Sequence, residues 1–168
     1  SMMALQDSMT GLYNRQGFFK ELEPLLDMDY NFGKYLYVFS IDMNRLKYIN
    51  DTFGHSDGDF ALTTLAHAIS QAMGDIAICA RFGGDEFVAA IISEVENAYS
   101  AEEFSKKLQA CIDSTEGISE KPYPVRASVG MNCLTITHSM NLESMIAIAD
   151  ESMYEMKRND KTRERMTK

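Results

Sequence analysis

The stretch Arg81-Phe82-Gly83-Gly84-Asp85-Glu86-Phe87 constrains the fold of this chain more than any other. An apolar run, Ile76 to Ala80, precedes the glycines, and a second, Phe87 to Ile92, follows the acids. Two apolar segments of strand length, parted by residues free to adopt positive φ, spell a β-hairpin with Gly83-Gly84 as its two-residue turn. Asp85 and Glu86 come directly after it, and strand alternation sends their side chains to opposite faces. Two neighbouring carboxylates at a hairpin tip repel each other unless something positive binds there.

The rest of the chain supplies what packs around the hairpin. Asn14 can cap a helix that carries Phe18, Leu22, Leu25 and Leu26 on one face. Tyr35 to Asp42, rich in aromatic and β-branched residues, reads as a buried strand. A short helix is predicted over Arg45 to Thr52. Ser56 with Asp59 resembles a capping box for a helix that buries Leu62, Leu65, Ala66, Ile69 and Met73. Beyond the hairpin, Ser100 and Glu103 open a helix with Phe104, Leu108, Cys111 and Ile112 inward. Val125 to Leu134 is a further strand, and Asn141 starts a last helix with Leu142, Met145, Ile146, Ala149, Met153 and Met156 inward. The order α-β-α-α-β-β-α-β-α, with a tight hairpin in its middle, predicts an α+β fold: a mixed central β-sheet flanked by helices.

The 168 residues suffice for one domain, residues 1–168, with one sizeable core. No run of apolar residues is long enough to span a bilayer and no signal-peptide pattern is present, so no membrane contact is expected of this domain. Cys79, Cys111 and Cys133 are odd in number and far apart, which reads as buried thiols in a reducing cytoplasm. The net charge of −9 is uneven: the stretch from Lys157 to Lys168 is basic, and the acidic body argues against a nucleic-acid partner. The abrupt opening at Ser1-Met2 suggests a piece cut from a larger protein.

Three groups of residues can carry chemistry. Asp42 closes the first buried strand, with Ser40 and Asn44 on the same side of it. If that strand lies beside the hairpin, Asp42 and Asp85 converge on one cation, and an all-oxygen set suits Mg²⁺ or Mn²⁺; otherwise Asp42 caps the next helix. Asn50 and Asp59 can satisfy the donors and acceptors of guanine, or can simply end and cap helices. Lys47, in the first turn of the short helix, and Lys157 with Lys161, four apart on the last helix, are either phosphate contacts or solvated lysines.

These pieces, in this order, resemble the GGDEF family of diguanylate cyclases over nearly the whole chain. Asp7 to Arg15 resembles the family's opening D-x-L-T-x-L-x-N-R, and Ile41 to Asp51 its I-D-x-D-x-F-K-x-x-N-D. Phe53 to Asp59 matches F-G-H-x-x-G-D, and Arg81 to Phe87 matches R-x-G-G-[DE]-E-F. Val129-Gly130 and the Ala149 to Lys157 stretch fit its later strand and closing helix. The resemblance implies a palm-like, nucleotide-cyclase-like domain that condenses two GTP into cyclic di-GMP and pyrophosphate. It further implies two Mg²⁺ or Mn²⁺ per active site, held by Asp42, Asp85 and the carbonyl of Met43. By the same resemblance, Asp85 assists deprotonation of the attacking hydroxyl, Glu86 supports the metal site and Lys47 stabilises phosphate charge. Backbone at Asn44, Arg45 and Leu46 cradles the phosphates, with Lys157 and Lys161 nearby. Asn50 and Asp59 read guanine beside His55 and Leu62, and Gly83 and Gly84 let substrate approach the backbone.

Each such domain holds one GTP, so a transient homodimer is implied, with an N-terminal sensor or regulatory domain in the full protein. A catalytically silent GTP-binding module is the alternative, disfavoured because both hairpin acids are intact. The chain departs from the family at Asn44 (an Asp there), at Leu46 (an aromatic), and at Asp160-Lys161-Thr162 (G-R-N), where a lysine keeps the charge of an arginine and loses its fork. The R-x-x-D product-inhibition site is replaced by Gly74 and Ala77, so no feedback through that site is expected.

Overall fold

The computed structural model describes residues 2–166 of the chain, and side chains over 4–161. Ser1 and the side chains of Arg163, Arg165 and Lys168 in the basic end lie outside the described residues. The helices are α1 (Arg15–Leu26), α2 (Leu46–Phe53), α3 (His55–Met73), α4 (Ala101–Asp113) and α5 (Leu142–Met166). The strands are β1 (Tyr35–Met43), β2 (Ile78–Gly83), β3 (Glu86–Ser93) and β4 (Ala127–Thr135). Their succession is the one the sequence predicts.

The strands form one sheet in the order β2-β3-β1-β4, antiparallel in all three ladders. The parallel component expected of a mixed sheet is confined to an isolated bridge between Tyr13 and Ala80 at the β2 edge. β1 is central because it can afford no solvent on either face: eight of its nine residues are buried. Its odd positions Tyr37, Phe39, Ile41 and Met43 join α2, α3 and α4 in one core, while Leu36 and Val38 join α1 and α5 in a second. Each fully buried apolar side chain contributes about 1.5–3 kcal/mol, so both faces are firmly held.

Local signals set the ends of the elements. The Asn14 side chain accepts from the Gly17 N–H, Ser100 from Glu103 and Asn141 from Ser144, all as N-caps. The predicted Ser56 box does not form. Gly54, with φ +97, ends α2 and starts α3 at once, so α3 begins at His55 with no side-chain cap. Leu25, Cys111 and Met156 are only half-buried, at the margins of their faces. Gly130 allows the tightest contact of the fold, since a Cβ there would overlap the Ala149 carbonyl and the Met153 backbone of α5. All three cysteines are free and half-buried, and burial pushes the Cys79 thiol up to about 12. Among the described residues no helix is long and apolar enough to cross a membrane.

Candidate active site

The side of β1 that faces α5 changes character along its length. Leu36 and Val38 are apolar, and then come Ser40, Asp42 and, past the strand end, Asn44. α5 answers with polar groups two turns apart: Ser40 Oγ donates to Asp150 Oδ1, and Lys157 Nζ pairs with Asp42 Oδ2. Ser128 Oγ on β4 donates to Asn44 Oδ1 at 2.9 Å. Asp42 is only 6% exposed, and its Oδ1 has no partner among the described residues. Burial pushes this carboxyl up to about 6, against the pull of Lys157 and with a further push from the Asp85 carboxylate beside it. The convergence of Asp42 with Asp85 expected from the sequence is therefore present.

The hairpin makes this meeting possible, with its turn one residue later than predicted. Gly83 closes β2 opposite Glu86 after a bulge, so Gly84 and Asp85 occupy the turn. Gly83 (φ +145) and Gly84 (φ +53) have conformations that a side chain would strain. Asp85 thus lies in the turn itself; its carbonyl accepts from the Met43 N–H at 3.0 Å. Glu86 is exposed and stands directly opposite Asp42 in the ladder. The Met43 side chain turns into the core at 1% exposure, so only its backbone is left for the site.

Arg81 fixes the turn from behind. Its Nε and Nη2 donate to the Gly84 carbonyl at 3.0 and 2.8 Å, and Nη1 pairs with Asp7 at 3.3 Å. Asp7 also accepts from the Thr10 N–H and hydroxyl. Burial alone would raise the Asp7 carboxyl, but these bonds and Arg81 hold it below the usual carboxylate value.

The second group gathers on α2 and α3. Arg45 takes a left-handed conformation (φ +61) that turns the chain into α2, and Lys47 is exposed in the first turn without an ion pair among the described residues. The Asn50 amide lies against Gly58 so closely that a Cβ there would overlap Asn50 Oδ1. Asp59 and His55 are exposed near the start of α3, and Leu62 is buried beneath them at 4% exposure. The acid that serves the first turn of α3 is Asp57, which accepts from the Tyr123 hydroxyl at 2.6 Å and from Lys121 at 3.1 Å. The Asp59 carboxylate has no hydrogen-bond or ion-pair partner among the described residues.

A cavity of about 630 Å³ opens beside the first group, lined by Asn44, Arg45, Lys157 and Lys161, and also by Arg126 and Tyr48. Lys47, Asn50 and Asp59 do not line it. Arg126, Ser128 and the Asp7–Arg81 clamp were not picked out from the sequence; only the alternation along the predicted strand Val125 to Leu134, which puts Arg126 and Ser128 on one face, pointed toward two of them. No cluster of three or more His, Cys, Asp and Glu side chains suited to a metal occurs among the described residues. The pair Asp42 and Asp85, one with an unpartnered buried oxygen, nevertheless fits a hard divalent cation whose other ligands are backbone and substrate oxygens.

The four-stranded antiparallel sheet with its five α-helices is an α+β domain, and its likeness to solved structures places it among folds of the nucleotide-cyclase type. Residues 4–163 match the family described as "Diguanylate cyclase, GGDEF domain", and the chain belongs to that family. It is 34% identical over 162 residues to "Probable diguanylate cyclase DgcJ" of Escherichia coli, covering 95% of this chain and 30% of that protein. It is 32% identical over 130 residues to "Cyclic di-GMP phosphodiesterase NbdA" of Pseudomonas aeruginosa, covering 77% of this chain and 16% of that one. A solved "sensory box/GGDEF family protein" from Caulobacter crescentus superposes with a TM-score of 0.76 at 27% identity, covering 92% of this chain and 99% of the other. The chain thus spans less than a third of the length of these curated relatives.

Proposed function

We propose that this domain is an active diguanylate cyclase that condenses two GTP into cyclic di-GMP. The observation that carries the reading is the approach of Asp85 to the buried Asp42, whose partner Lys157 lines a cavity ringed by cations. Asp42, Asp85 and the Met43 carbonyl would hold two Mg²⁺ or Mn²⁺, which when bound neutralise phosphate charge and favour ionisation of a ribose hydroxyl. The Asp42 oxygen without a partner and the raised pKa of that carboxyl support the assignment, because Lys157 serves only Oδ2 and leaves the buried Oδ1, beside Asp85, open to a further cation.

The chain's own groups then divide the work. Asn50 and Asp59 hold guanine from α2 and α3, with Leu62 as the apolar floor and His55 at the edge. The triphosphate runs past the backbone of Asn44 to Leu46 toward Lys157 and Lys161, with Lys47 countering charge on the phosphates and Glu86 supporting the acid pair. Gly83 and Gly84 keep side chains out of the path of the substrate. Asp85 takes the proton from a 3′-hydroxyl as its oxygen bonds to the α-phosphorus of a second GTP. The bond to pyrophosphate breaks in the same displacement.

That second GTP belongs to a facing copy of the domain, since one site binds one nucleotide. Two such displacements close the ring, so a transient homodimer is required. A regulatory domain elsewhere on a longer chain would control this pairing. GTP as substrate puts the domain in the cytoplasm.

The test is incubation at high protein concentration with GTP and Mg²⁺ or Mn²⁺, beside Asp85→Ala, with products identified by mass. Cyclic di-GMP from the wild type alone is the expected result. GTP binding without product, persisting when dimers are forced by fusion, would replace the enzyme with a silent GTP-binding module.

A further inference from the structure

The cavity beside the acid pair is lined by two cationic side chains that the proposed reaction has not used, Arg45 and Arg126. Arg126 is exposed, lines the cavity, and makes no ion pair among the described residues. Its placement is fixed by backbone. The Arg126 carbonyl accepts from the Asn44 N–H at 2.8 Å, which ties the entry of β4 to the loop between β1 and α2.

Alternation then sets the direction of the side chain. Val125 is buried in the core under α2, α3 and α4, and Ala127 packs against that core. Arg126 and Ser128 face the other way, and Ser128 bonds Asn44 at the cavity wall.

The other lining cations are partly committed. Lys157 is paired with Asp42, and the Arg45 guanidinium stacks on the Tyr48 ring at 4.2 Å. Lys161 offers a point charge, and the acid Asp160 lines the cavity with it. Arg126 offers a planar fork of donors that matches two oxygens of one terminal phosphate.

We propose that Arg126 is the terminal-phosphate residue of the site, reaching from β4 to the γ-phosphate of the nucleotide and so selecting triphosphate over shorter forms. The inference rests on the reading of the cavity as the GTP site. The reacting α-phosphate belongs at Asp42 and Asp85. A tail running from there past Lys157 enters the cavity and ends where Arg126 stands over the loop from Asn44 to Leu46. The same fork would hold the pyrophosphate as it leaves.

Calorimetric titration with Mg²⁺ and α,β-methylene GTP, GDP or GMP tests this on the wild type, R126Q, R126K and the remote control K107Q. R126Q is expected to bind the triphosphate analogue about tenfold more weakly, the usual effect of losing a charged hydrogen bond, with GMP affinity unchanged. R126K recovers part of the loss, because it restores charge without the fork, and K107Q matches the wild type. Wild-type binding with an unchanged triphosphate-to-GMP ratio in R126Q would overturn the role of Arg126 alone. Equal losses in K107Q would also overturn it, by reducing the effect to net charge. A wild type that binds none of the three nucleotides would overturn the GTP reading, and this inference with it.

Discussion

Gly58→Ala separates the stability of this domain from the proposed recognition of guanine. The added Cβ would overlap Asn50 Oδ1, the far end of a side chain that can rotate away, and no backbone atom lies as close. Moving the amide off its preferred rotamer costs about 0.5–1.5 kcal/mol. Replacing a glycine within α3 by alanine returns up to about 1 kcal/mol of helix propensity. The two nearly cancel, so the urea midpoint is expected to move by less than the equivalent of about 1 kcal/mol. Binding has no such offset. If Asn50 makes the two proposed hydrogen bonds to the base, at about 0.5–1.5 kcal/mol each, their loss corresponds to an affinity loss of roughly fivefold to 150-fold. Titration with α,β-methylene GTP measures it, with Asn50→Ala as the reference. The double variant should lose no more than Asn50→Ala alone, since both changes remove the same contact. Unchanged nucleotide affinity in Gly58→Ala would refute the role of the Asn50 amide. A stability loss above about 2 kcal/mol would refute the claim that the side chain, and not the helix, gives way.

Gly130→Ala meets backbone instead of a movable side chain, because its Cβ would overlap the Ala149 carbonyl and the Met153 nitrogen. It should cost at least about 2–3 kcal/mol in urea unfolding, and a wild-type midpoint would show that α5 is not held that closely. The Asp7 carboxyl is held below its ordinary value of 3.8 by Thr10 and Arg81 against the effect of burial. A lowered acid stabilises above its unfolded pKa and loses that contribution as pH falls through the folded value. Asp7→Asn should therefore show a shallower loss of stability below about pH 4 than the wild type, in melting temperatures taken down the acid series. Gly74 caps the end of α3 with φ +77, and neither it nor Ala77 offers a charged group for a dinucleotide product. Progress curves with added cyclic di-GMP should show no inhibition acting through these positions.

Much of this was legible because the signals are local. Asn14, Ser100 and Asn141 announce helix starts through their own side chains, and a continuous run of aromatic and β-branched residues marks β1 as a strand buried on both faces. The hairpin turn slipped by one residue because two adjacent glycines can each take positive φ, and the bulge between Arg81 and Gly83 decides between them. The start of α3 was misread because Gly54 serves two helices with no linker, which gives the first-turn acid role to Asp57 and frees Asp59. Arg126 carried no signal that marked it as functional. Its position depends on a backbone bond to Asn44, 82 residues earlier in the chain, and such pairings exist only once the sheet has formed.

The clamp of Asp7 on Arg81 has a mechanical side. The Arg81 N–H donates to the Tyr13 carbonyl at 2.8 Å, the Tyr13 N–H donates to the Cys79 carbonyl at 3.2 Å, and the Arg81 guanidinium grips the turn at Gly84. The segment ahead of α1 is thus a handle bolted to the hairpin, touching the cores only through the half-buried Leu12 and Tyr13. A twist applied to residues 4–14 has a direct hydrogen-bonded route to the turn that carries Asp85.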